Sequence, residues 1–312
     1  MKFFVAGGAG FIGSHLVDKL VNMGEVTIYD NLTSGKREFI RHHLSRDGFQ
    51  FIQADILDCS RLVRAMKGSD VVFHMAANPE VRAGINDTEL DLKQGTIATY
   101  NVLEAMRRQG IKRVVFASSS AVYGEVKGLP IPEDYGPLQP ISLYGASKLA
   151  SEGLITAFSH LFDMQAWIFR FANVVGDRAT HGVIFDFINK LKRNPEELEI
   201  LGDGTQRKPY IHVQDCVDGI LYGFQHSSGR VNVFNLGNSD VTSVTTIAHM
   251  LIESMGLAKV RLKYTGGDRG WPGDVPQVRL GTSRMEKLGW KPKHNSDEAV
   301  RLAIKEILGK SD

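Results

Sequence analysis

The chain contains little cysteine and little excess charge. Only Cys59 and Cys216 occur among 312 residues, too far apart in sequence for a short-spaced metal or redox motif. This cysteine usage is typical of a reducing compartment, so we expect a cytoplasmic protein. The 37 Lys and Arg residues nearly balance the 35 Asp and Glu residues. A formal charge of +2 favours neither nucleic-acid binding nor a polybasic membrane contact.

Long apolar runs are also missing. The sequence has no run of about 18 apolar residues, so we expect no membrane span. The apolar run at 3–6 is interrupted by glycines too early to form a signal-peptide core. With 43% hydrophobic against 23% charged residues, the chain can nevertheless bury a sizeable core.

Metal-binding sequence patterns are not present. The sequence has neither a His-Glu-x-x-His motif nor a cysteine cluster. His42 and His43 are adjacent, and adjacent residues do not share a helix face. We therefore predict no metal site.

Apolar runs typical of strands alternate with helical periodicity along the first half of the chain. Strands are predicted at 3–6, 26–29, 51–53, 71–74, 114–117 and 167–171, and helices at 16–21, 97–106 and 149–161. Strands that alternate with helices pair in parallel through right-handed crossovers. The pattern predicts an α/β fold with a doubly wound, Rossmann-like parallel sheet of six or seven strands.

A glycine-rich turn separates the first predicted strand from the first helix. Gly7, Gly10 and Gly13 lack a Cβ, which permits a tight turn and the approach of a pyrophosphate to the helix N-terminus. This context predicts a dinucleotide site. Asp30 ends the second strand at about the spacing of a ribose-binding carboxylate and repels a 2′-phosphate, which favours NAD. The Lys36-Arg37 pair leaves NADP as the alternative.

Beyond about residue 172 the pattern loosens into loops, with one clear helix near 244–255. We expect a smaller C-terminal α/β domain that binds substrate at the carboxyl ends of the strands. The predicted division assigns 1–172, with a return segment at about 209–236, to an NAD-binding domain. Residues 173–208 and 237–312 are assigned to the substrate-binding domain.

Two motifs carry candidate catalytic groups, SSSAVYG at 118–124 and YGASK at 144–148. Tyr144 and Lys148 are four residues apart at the start of a predicted helix and therefore lie on one face. An ammonium beside the phenol, together with a positively charged nicotinamide ring, favours the phenolate and lowers its pKa from about 10 toward the physiological range, so we expect Tyr144 to shuttle a proton. A solvated surface pair is common at this spacing, and the prediction depends on the nearby serines and the glycine turn.

Together these motifs resemble the extended short-chain dehydrogenases and, within them, the nucleotide-sugar 4-epimerases of the UDP-galactose 4-epimerase type. The resemblance extends over nearly the whole chain, from GGAGFIGSHL to GDRGWPGD and KLGWKP. It implies a catalytic serine at Ser119, the shuttle at Tyr144 and its partner at Lys148. It implies contacts to NAD from Gly7, Gly10, Phe11, Ile12, Gly13, Asp30, Asn31, Ser34, Gly35, Asp55, Ile56, Met75, Ala76, Ala77, Tyr144 and Lys148.

The resemblance also narrows the reaction. Related sugar dehydratases carry Asp-Glu, or at least Glu, directly after the catalytic Ser or Thr, because eliminating water needs a further acid and base. Here those positions are Ser120 and Ala121. A methyl group cannot transfer a proton, so we expect oxidation and reduction at C4 of a UDP-hexose without elimination.

Further residues are implied to bind the UDP-sugar substrate: Ser119, Tyr144, Asn173, Val183, Lys208, Arg269, Asp274 and Val278. The chain departs from the family pattern at several of these places. Lys208 replaces an arginine, Trp271 replaces another, and Gly95 stands near a position where relatives place asparagine. Val278 matches the position whose bulk limits the C2 substituent, so a small residue predicts that N-acetyl sugars are accepted.

The resemblance implies a homodimer formed through the helices at 97–106 and 149–161, whereas burial within one chain is the alternative. Other functions remain open from the sequence. They are a 4-ketoreductase, uronate epimerase, decarboxylase or dehydratase of the same family, and a non-catalytic dinucleotide sensor.

Overall fold

The structure is a computed structural model that describes residues 1–309 of the 312. Its strands are β1 (Lys2–Ala6), β2 (Glu25–Asp30), β3 (Phe49–Gln53), β4 (Val71–His74), β5 (Arg113–Ser119), β6 (Gln165–Phe171), β7 (Asn173–Val175), β8 (Glu197–Ile200), β9 (Arg207–Lys208), β10 (Tyr210–His212), β11 (Val231–Leu236), β12 (Thr242–Ser243) and β13 (Arg261–Tyr264). Its α-helices are α1 (Phe11–Leu20), α2 (Cys59–Ala65), α3 (Thr88–Asp91), α4 (Ala98–Gln109), α5 (Leu143–Leu161), α6 (Val183–Arg193), α7 (Val213–His226), α8 (Val244–Ser254), α9 (Ser283–Leu288) and α10 (Ser296–Gly309).

Seven strands form one parallel sheet in the order β3-β2-β1-β4-β5-β6-β11. The order reverses between β1 and β4, which leaves a crevice at the carboxyl ends of these strands. All four residues of β4 are buried, because helices cover both faces of the sheet and each face must then be apolar. The predicted doubly wound parallel sheet is confirmed.

Two layers of helices bury the two faces of the sheet. On one face, Leu16 of α1 and Ile220 of α7 lie in a single apolar cluster with strand residues such as Val5. On the other face, Leu103 of α4 and Ile155 of α5 pack in a second cluster. Because β1 ends in the middle of the sheet, the first helix begins directly at the crevice.

The last part of the chain builds a third apolar cluster from α6, α8, α10, β8 and β10. The expectation of one clear helix beyond residue 172 was wrong, since α6, α7, α9 and α10 are also helical. In α6 only Ile184, Phe187, Ile188 and Leu191 are buried. That spacing is typical of an amphipathic helix. The sequence therefore contained the helical pattern, but the polar residues between the apolar ones made it less apparent. Of the predicted substrate domain, residues 310–312 lie outside the described residues.

Two further observations concern the composition. Both cysteines are free thiols. Within residues 1–309, no helix combines the length and the apolar character needed to cross a bilayer.

His42 and His43 converge in space, although their adjacency in the sequence was used to argue against a metal site. They end a short 3₁₀-helix at Arg37–His43, and their ring centroids are only 3.9 Å apart. Both imidazoles reach the same carboxylate oxygen of Asp18, at 2.9 Å and 2.8 Å. Adjacent side chains of this length can thus converge on one carboxylate even though adjacent residues do not share a helix face.

Candidate active site

The glycine turn lies between β1 and α1 and lines a cleft of about 740 Å³. Gly7 has a φ of +79°, and a Cβ there would lie 2.5 Å from the backbone nitrogen of Ala76. The turn can therefore pack against the end of β4 only with glycine at this position. Gly10 is the N-cap of α1 and provides no side-chain cap, so backbone N–H groups of the first turn are available to an anion.

Asp30 ties the glycine turn to the loop that follows β2. Its two carboxylate oxygens accept hydrogen bonds from the backbone N–H groups of Ala9, at 2.9 Å, and Leu32, at 2.8 Å. Burial raises the pKa of Asp30, and these two bonds oppose the rise. A Cβ on Gly35 would lie 3.0 Å from the same carboxylate. The loop is thereby folded back over the glycine turn.

The expected cofactor residues divide into two groups. Those that line the cleft are Gly7, Gly10, Phe11, Ile12, Gly13, Ser34, Met75, Ala77, Tyr144 and Lys148. Behind them, Asn31 donates from its amide to Asp55 at 3.0 Å, and Ile56 belongs to the buried core. The crevice, the open helix N-terminus and the buried carboxylate fit a dinucleotide laid across the switch point of the sheet.

Ser119, Tyr144 and Lys148 also line this cleft. Ser119 ends β5, while the other two lie in the first turns of α5, whose N-cap Ser142 accepts a hydrogen bond from the N–H of Gly145 at 3.0 Å. Tyr144 and Ser119 share a side-chain hydrogen bond. The Nζ of Lys148 lies 5.6 Å from the centre of the Tyr144 ring. The three predicted catalytic residues therefore form one group.

Lys148 is held from behind by the strand. Its Nζ donates to the carbonyl oxygen of Ala117 at 2.6 Å, and only 3% of the residue is exposed. Burial lowers the pKa of Lys148 to about 8, although the charges of Asp91 and Glu152 act in the opposite direction. The ammonium is thus maintained near neutral pH by two acidic residues that the sequence analysis did not identify.

The expected lowering of the pKa of Tyr144 depends on Lys148 and a nicotinamide ring together, and the protein's own groups do not provide it. Desolvation raises the pKa of Tyr144 to about 12, against the hydrogen bond of Ser119, and the charge of Asp91 adds to the rise. The ammonium points to the Ala117 carbonyl rather than to the phenol oxygen. A further positive charge in the cleft is needed to lower the pKa of Tyr144 into the physiological range.

Buried polar residues support the catalytic helix. Glu152 is four residues after Lys148 and accepts from Arg170 at 3.0 Å and 2.7 Å and from Ser118 at 2.5 Å. The sequence indication for the pair of Glu152 and Arg170 is the charged Arg170 within the otherwise apolar strand sequence FRF. Gly95 departs from the family pattern because a Cβ there would lie 2.5 Å from Oγ of Ser147 on α5.

Four of the residues expected to bind substrate also line the cleft: Asn173, Val183, Lys208 and Asp274. Lys208 forms an ion pair with Asp274. A smaller recess of about 160 Å³ adjoins Ser119 and Tyr144 and is also lined by Ala121, Trp271 and Val278. This recess is the place where a group could lie within reach of the catalytic hydroxyls.

Arg269 is not brought into this group. It lines neither the cleft nor the recess, because its guanidinium is bonded to Glu125 at 2.7 Å and to Asp268. Lys208 is therefore the basic residue of the predicted set that faces the cleft.

A family model for the "NAD dependent epimerase/dehydratase family" matches residues 3–237. The chain belongs to this NAD-dependent enzyme family. The match covers the whole parallel sheet, including β11, and both catalytic motifs. Family membership therefore accounts for the glycine turn, the buried carboxylate and the tyrosine and lysine of α5 together.

Similar proteins extend the comparison over the full length. A UDP-glucose 4-epimerase of Azospirillum brasilense is 34% identical over 97% of this chain and 91% of its own. A crystal structure of a UDP-galactose 4-epimerase is 42% identical, with a TM-score of 0.89, and covers 100% of this chain and 99% of that one. The Thermotoga maritima UDP-glucose 4-epimerase with UDP-glucose is 32% identical, with a TM-score of 0.90, and covers 100% of both chains.

Enzymes that act on other sugars have the same fold. A UDP-N-acetylglucosamine 4-epimerase of Methanobrevibacter ruminantium is 28% identical, with a TM-score of 0.88, and covers 99% of this chain and 98% of that one. A UDP-glucuronic acid 4-epimerase of Bacillus cereus is 28% identical, with a TM-score of 0.90, and covers 99% and 100%. The fold alone therefore does not select the sugar.

Proposed function

We propose that this protein is an NAD-dependent UDP-hexose 4-epimerase that interconverts the two configurations at C4 through a 4-keto sugar. The observation that carries the proposal is the group of Ser119, Tyr144 and Lys148 beside a recess in which position 121 is alanine. With bound NAD as the hydride acceptor and donor, this group can take up and return the hydroxyl proton in the oxidation and reduction of a secondary alcohol. Similarity to UDP-glucose 4-epimerases over the full chain supports the same reaction.

The chain's own residues carry the proton in this reaction. When bound, NAD would supply a hydride acceptor for C4 and the positive charge of its oxidised nicotinamide ring. Tyr144 takes the proton of the C4 hydroxyl, and Ser119, which is bonded to it, stabilises the oxygen on which charge develops. Lys148 keeps a positive charge behind the tyrosine. After the 4-keto sugar has turned in the cleft, Tyr144 returns the proton to the C4 oxygen, and the product has the opposite configuration at C4.

The residues that line the recess also favour epimerisation over the elimination of water. Ser120 and Ala121 both line it and are the positions at which a dehydratase would need its additional acid and base. A hydroxyl of ordinary pKa and a methyl group cannot perform that proton transfer at neutral pH. We therefore assign epimerisation rather than loss of water.

We assign the diphosphate of the UDP-sugar to the part of the cleft lined by Lys208 and Asp274. Lys208 offers a positive charge at the cleft, and Asp274 fixes its position through their ion pair. A lysine is a point charge and lacks the planar fork of arginine, so it can hold a phosphate oxygen but not in bidentate fashion. Asn173 provides an amide for the same substrate. Val183 lines the cleft as the first residue of α6, whose N-cap Gly182 provides no side-chain cap, so backbone N–H groups of this turn are available to the substrate.

We assign both plain and N-acetylated hexoses as substrates. Val278 lines the recess together with Ser119 and Tyr144, and its side chain is small at the place where bulk would exclude a C2 substituent. A tyrosine at this position would occupy most of a recess of about 160 Å³.

We also propose that the protein is a homodimer formed through α4 and α5. Large apolar side chains are exposed at the start of α4 and the end of α5: Ile97 is 41% exposed, Tyr100 46% and Leu161 73%. The ring of Tyr100 packs against Phe158 of α5 at 6.3 Å, so these residues belong to one surface. A second copy would remove this surface from water.

Analytical ultracentrifugation tests the dimer. We expect the wild-type protein to sediment as a dimer and Leu161→Glu as a monomer, because a charge would be buried in the interface. Leu129→Glu, at an exposed leucine in the loop after β5, is the matched control and should remain dimeric. A monomeric wild-type protein contradicts the proposal.

Proton NMR of the C4 configuration tests the reaction. The purified protein is incubated separately with UDP-glucose, UDP-galactose, their two N-acetyl counterparts and UDP-glucuronic acid, without and then with added NAD. We expect interconversion of the first four in both directions. Turnover of the uronate alone would reassign the enzyme as a uronate epimerase, and accumulation of a 4-keto product would indicate a dehydratase. No turnover of any sugar with NAD present would overturn the proposal.

A further inference from the structure

A cluster of one carboxylate and two imidazoles lies outside the cleft, on the first helix of the fold. Asp18 is on α1, and His42 and His43 end the 3₁₀-helix at Arg37–His43. One ligand atom from each of the three residues lies within 4.8 Å of the others. The Oδ1 atom of Asp18 is 2.9 Å from Nε2 of His42 and 2.8 Å from Nε2 of His43.

We propose that Asp18, His42 and His43 form a binding site for a divalent transition-metal ion of the zinc class. Two imidazole nitrogens and one carboxylate oxygen are ligands that Zn²⁺ accepts, and it would complete four-coordination with water. On binding, each imidazole presents the lone pair of its Nε2 to the metal instead of donating a proton to Oδ1. The displaced protons are taken by the other ring nitrogens or released to solvent.

The surroundings hold the three ligands in place. The ring of His43 packs against Phe49 at 5.5 Å, and its side chain is only 9% exposed. The guanidinium of Arg178 binds Oδ2 of Asp18 at 2.8 Å, which leaves Oδ1 as the oxygen that faces the imidazoles. The side chain of His42 is 52% exposed, so an ion can enter from solvent on that side.

The nearby positive charges limit the affinity but do not block the site. Arg178 partly neutralises Asp18, and Arg46 lies near His43. The Arg46 guanidinium, however, donates to the carbonyl oxygen of Val21 at 2.7 Å and so is directed to the end of α1. A bound ion would cross-link α1 to the 3₁₀-helix at Arg37–His43. Its role is therefore structural.

Binding is tested on untagged, chelator-treated protein with Zn²⁺ and Co²⁺ as the probes. We expect one Zn²⁺ per chain by calorimetry, a visible absorption spectrum of tetrahedral Co²⁺, and a rise in melting temperature of a few degrees with saturating Zn²⁺. All three signals should be lost in His42→Ala, which removes an exposed ligand, and in Asp18→Asn. His249→Ala removes an exposed histidine of α8 and is the matched control.

Two results would overturn the proposal. One is wild-type protein that shows no saturable binding, in which case the cluster is held by hydrogen bonds only. The other is binding that His42→Ala and Asp18→Asn leave unchanged, since the ion would then lie elsewhere. Far-ultraviolet circular dichroism verifies that each variant is folded before its metal binding is compared.

Discussion

Replacing Glu152 with glutamine tests the buried ion pair behind the catalytic residues. Glu152 and Arg170 are each only 7% exposed, and the carboxylate accepts two hydrogen bonds from the guanidinium and one from Ser118. Glutamine has the same size, but it replaces one acceptor oxygen with an NH₂ donor. In Glu152→Gln the NH₂ group of the new side chain therefore faces an N–H group of Arg170. The guanidinium also keeps its charge with no opposite charge beside it.

The expected loss of stability follows from this burial. Removing one partner of a buried ion pair costs about 3–5 kcal/mol, because the remaining charge stays desolvated. For a chain of 312 residues, this loss corresponds to a fall in melting temperature of about 5–8 °C. Arg170 also donates to the hydroxyl of Tyr123 at 2.9 Å and to the carbonyl of Glu133 at 3.1 Å, and these bonds remain in the variant.

Thermal and urea unfolding, followed by circular dichroism, measure the loss. The matched control is Glu253→Gln, which breaks a Glu–Arg pair whose side chains are 73% and 57% exposed and should cost less than about 1 kcal/mol. A loss in Glu152→Gln no larger than in the control would refute the reasoning. It would mean that the pair is solvated or that its desolvation is already compensated by the other bonds of Arg170.

Three further predictions concern activity. Tyr144→Phe should reduce turnover by about 10²–10⁴-fold while retaining bound NAD, measured by release of the nucleotide on denaturation; loss of both would indicate misfolding instead. Asp91→Asn removes a negative charge that raises the pKa values of Tyr144 and Lys148, so both limbs of the pH–rate profile should move to lower pH, and an unmoved profile would contradict this coupling. Val278→Tyr should lower the turnover of N-acetyl sugars relative to plain hexoses by about 10–200-fold, and equal effects on both would exclude a steric role.

The sheet and the catalytic group could be predicted from the sequence because each depends on local patterns. A buried strand such as β4 is a continuous apolar run, and the spacing of Tyr144 and Lys148 places them on one face of a helix. The glycine turn likewise lies between a strand and a helix that adjoin it in sequence. These signals need no information about which distant segments meet.

Some of the residues that the sequence analysis missed depend on long-range packing. Asp91 influences Lys148 because α3 packs against α5, and no spacing in the sequence reveals that contact. Glu152 is four residues after Lys148 on α5, so helical spacing places the two on one face, but its buried partner Arg170 comes from a distant strand. The desolvation that raises the pKa of Tyr144 was likewise missed, because it depends on how the folded chain surrounds the phenol. Arg269 resembled a phosphate ligand in its motif, but the loop directs it to Glu125 instead.

In the proposed reaction, the hydrogen at C4 leaves the sugar and returns to the same carbon without exchange with water. The most direct measurement is to incubate the enzyme with UDP-glucose deuterated at C4 and to follow the product by NMR and mass spectrometry. We expect UDP-galactose that retains the deuterium at C4. Loss of the label to solvent, or its appearance at another carbon, would rule out this reaction, because either result requires a proton transfer at carbon that Ser119, Tyr144 and Ala121 cannot perform.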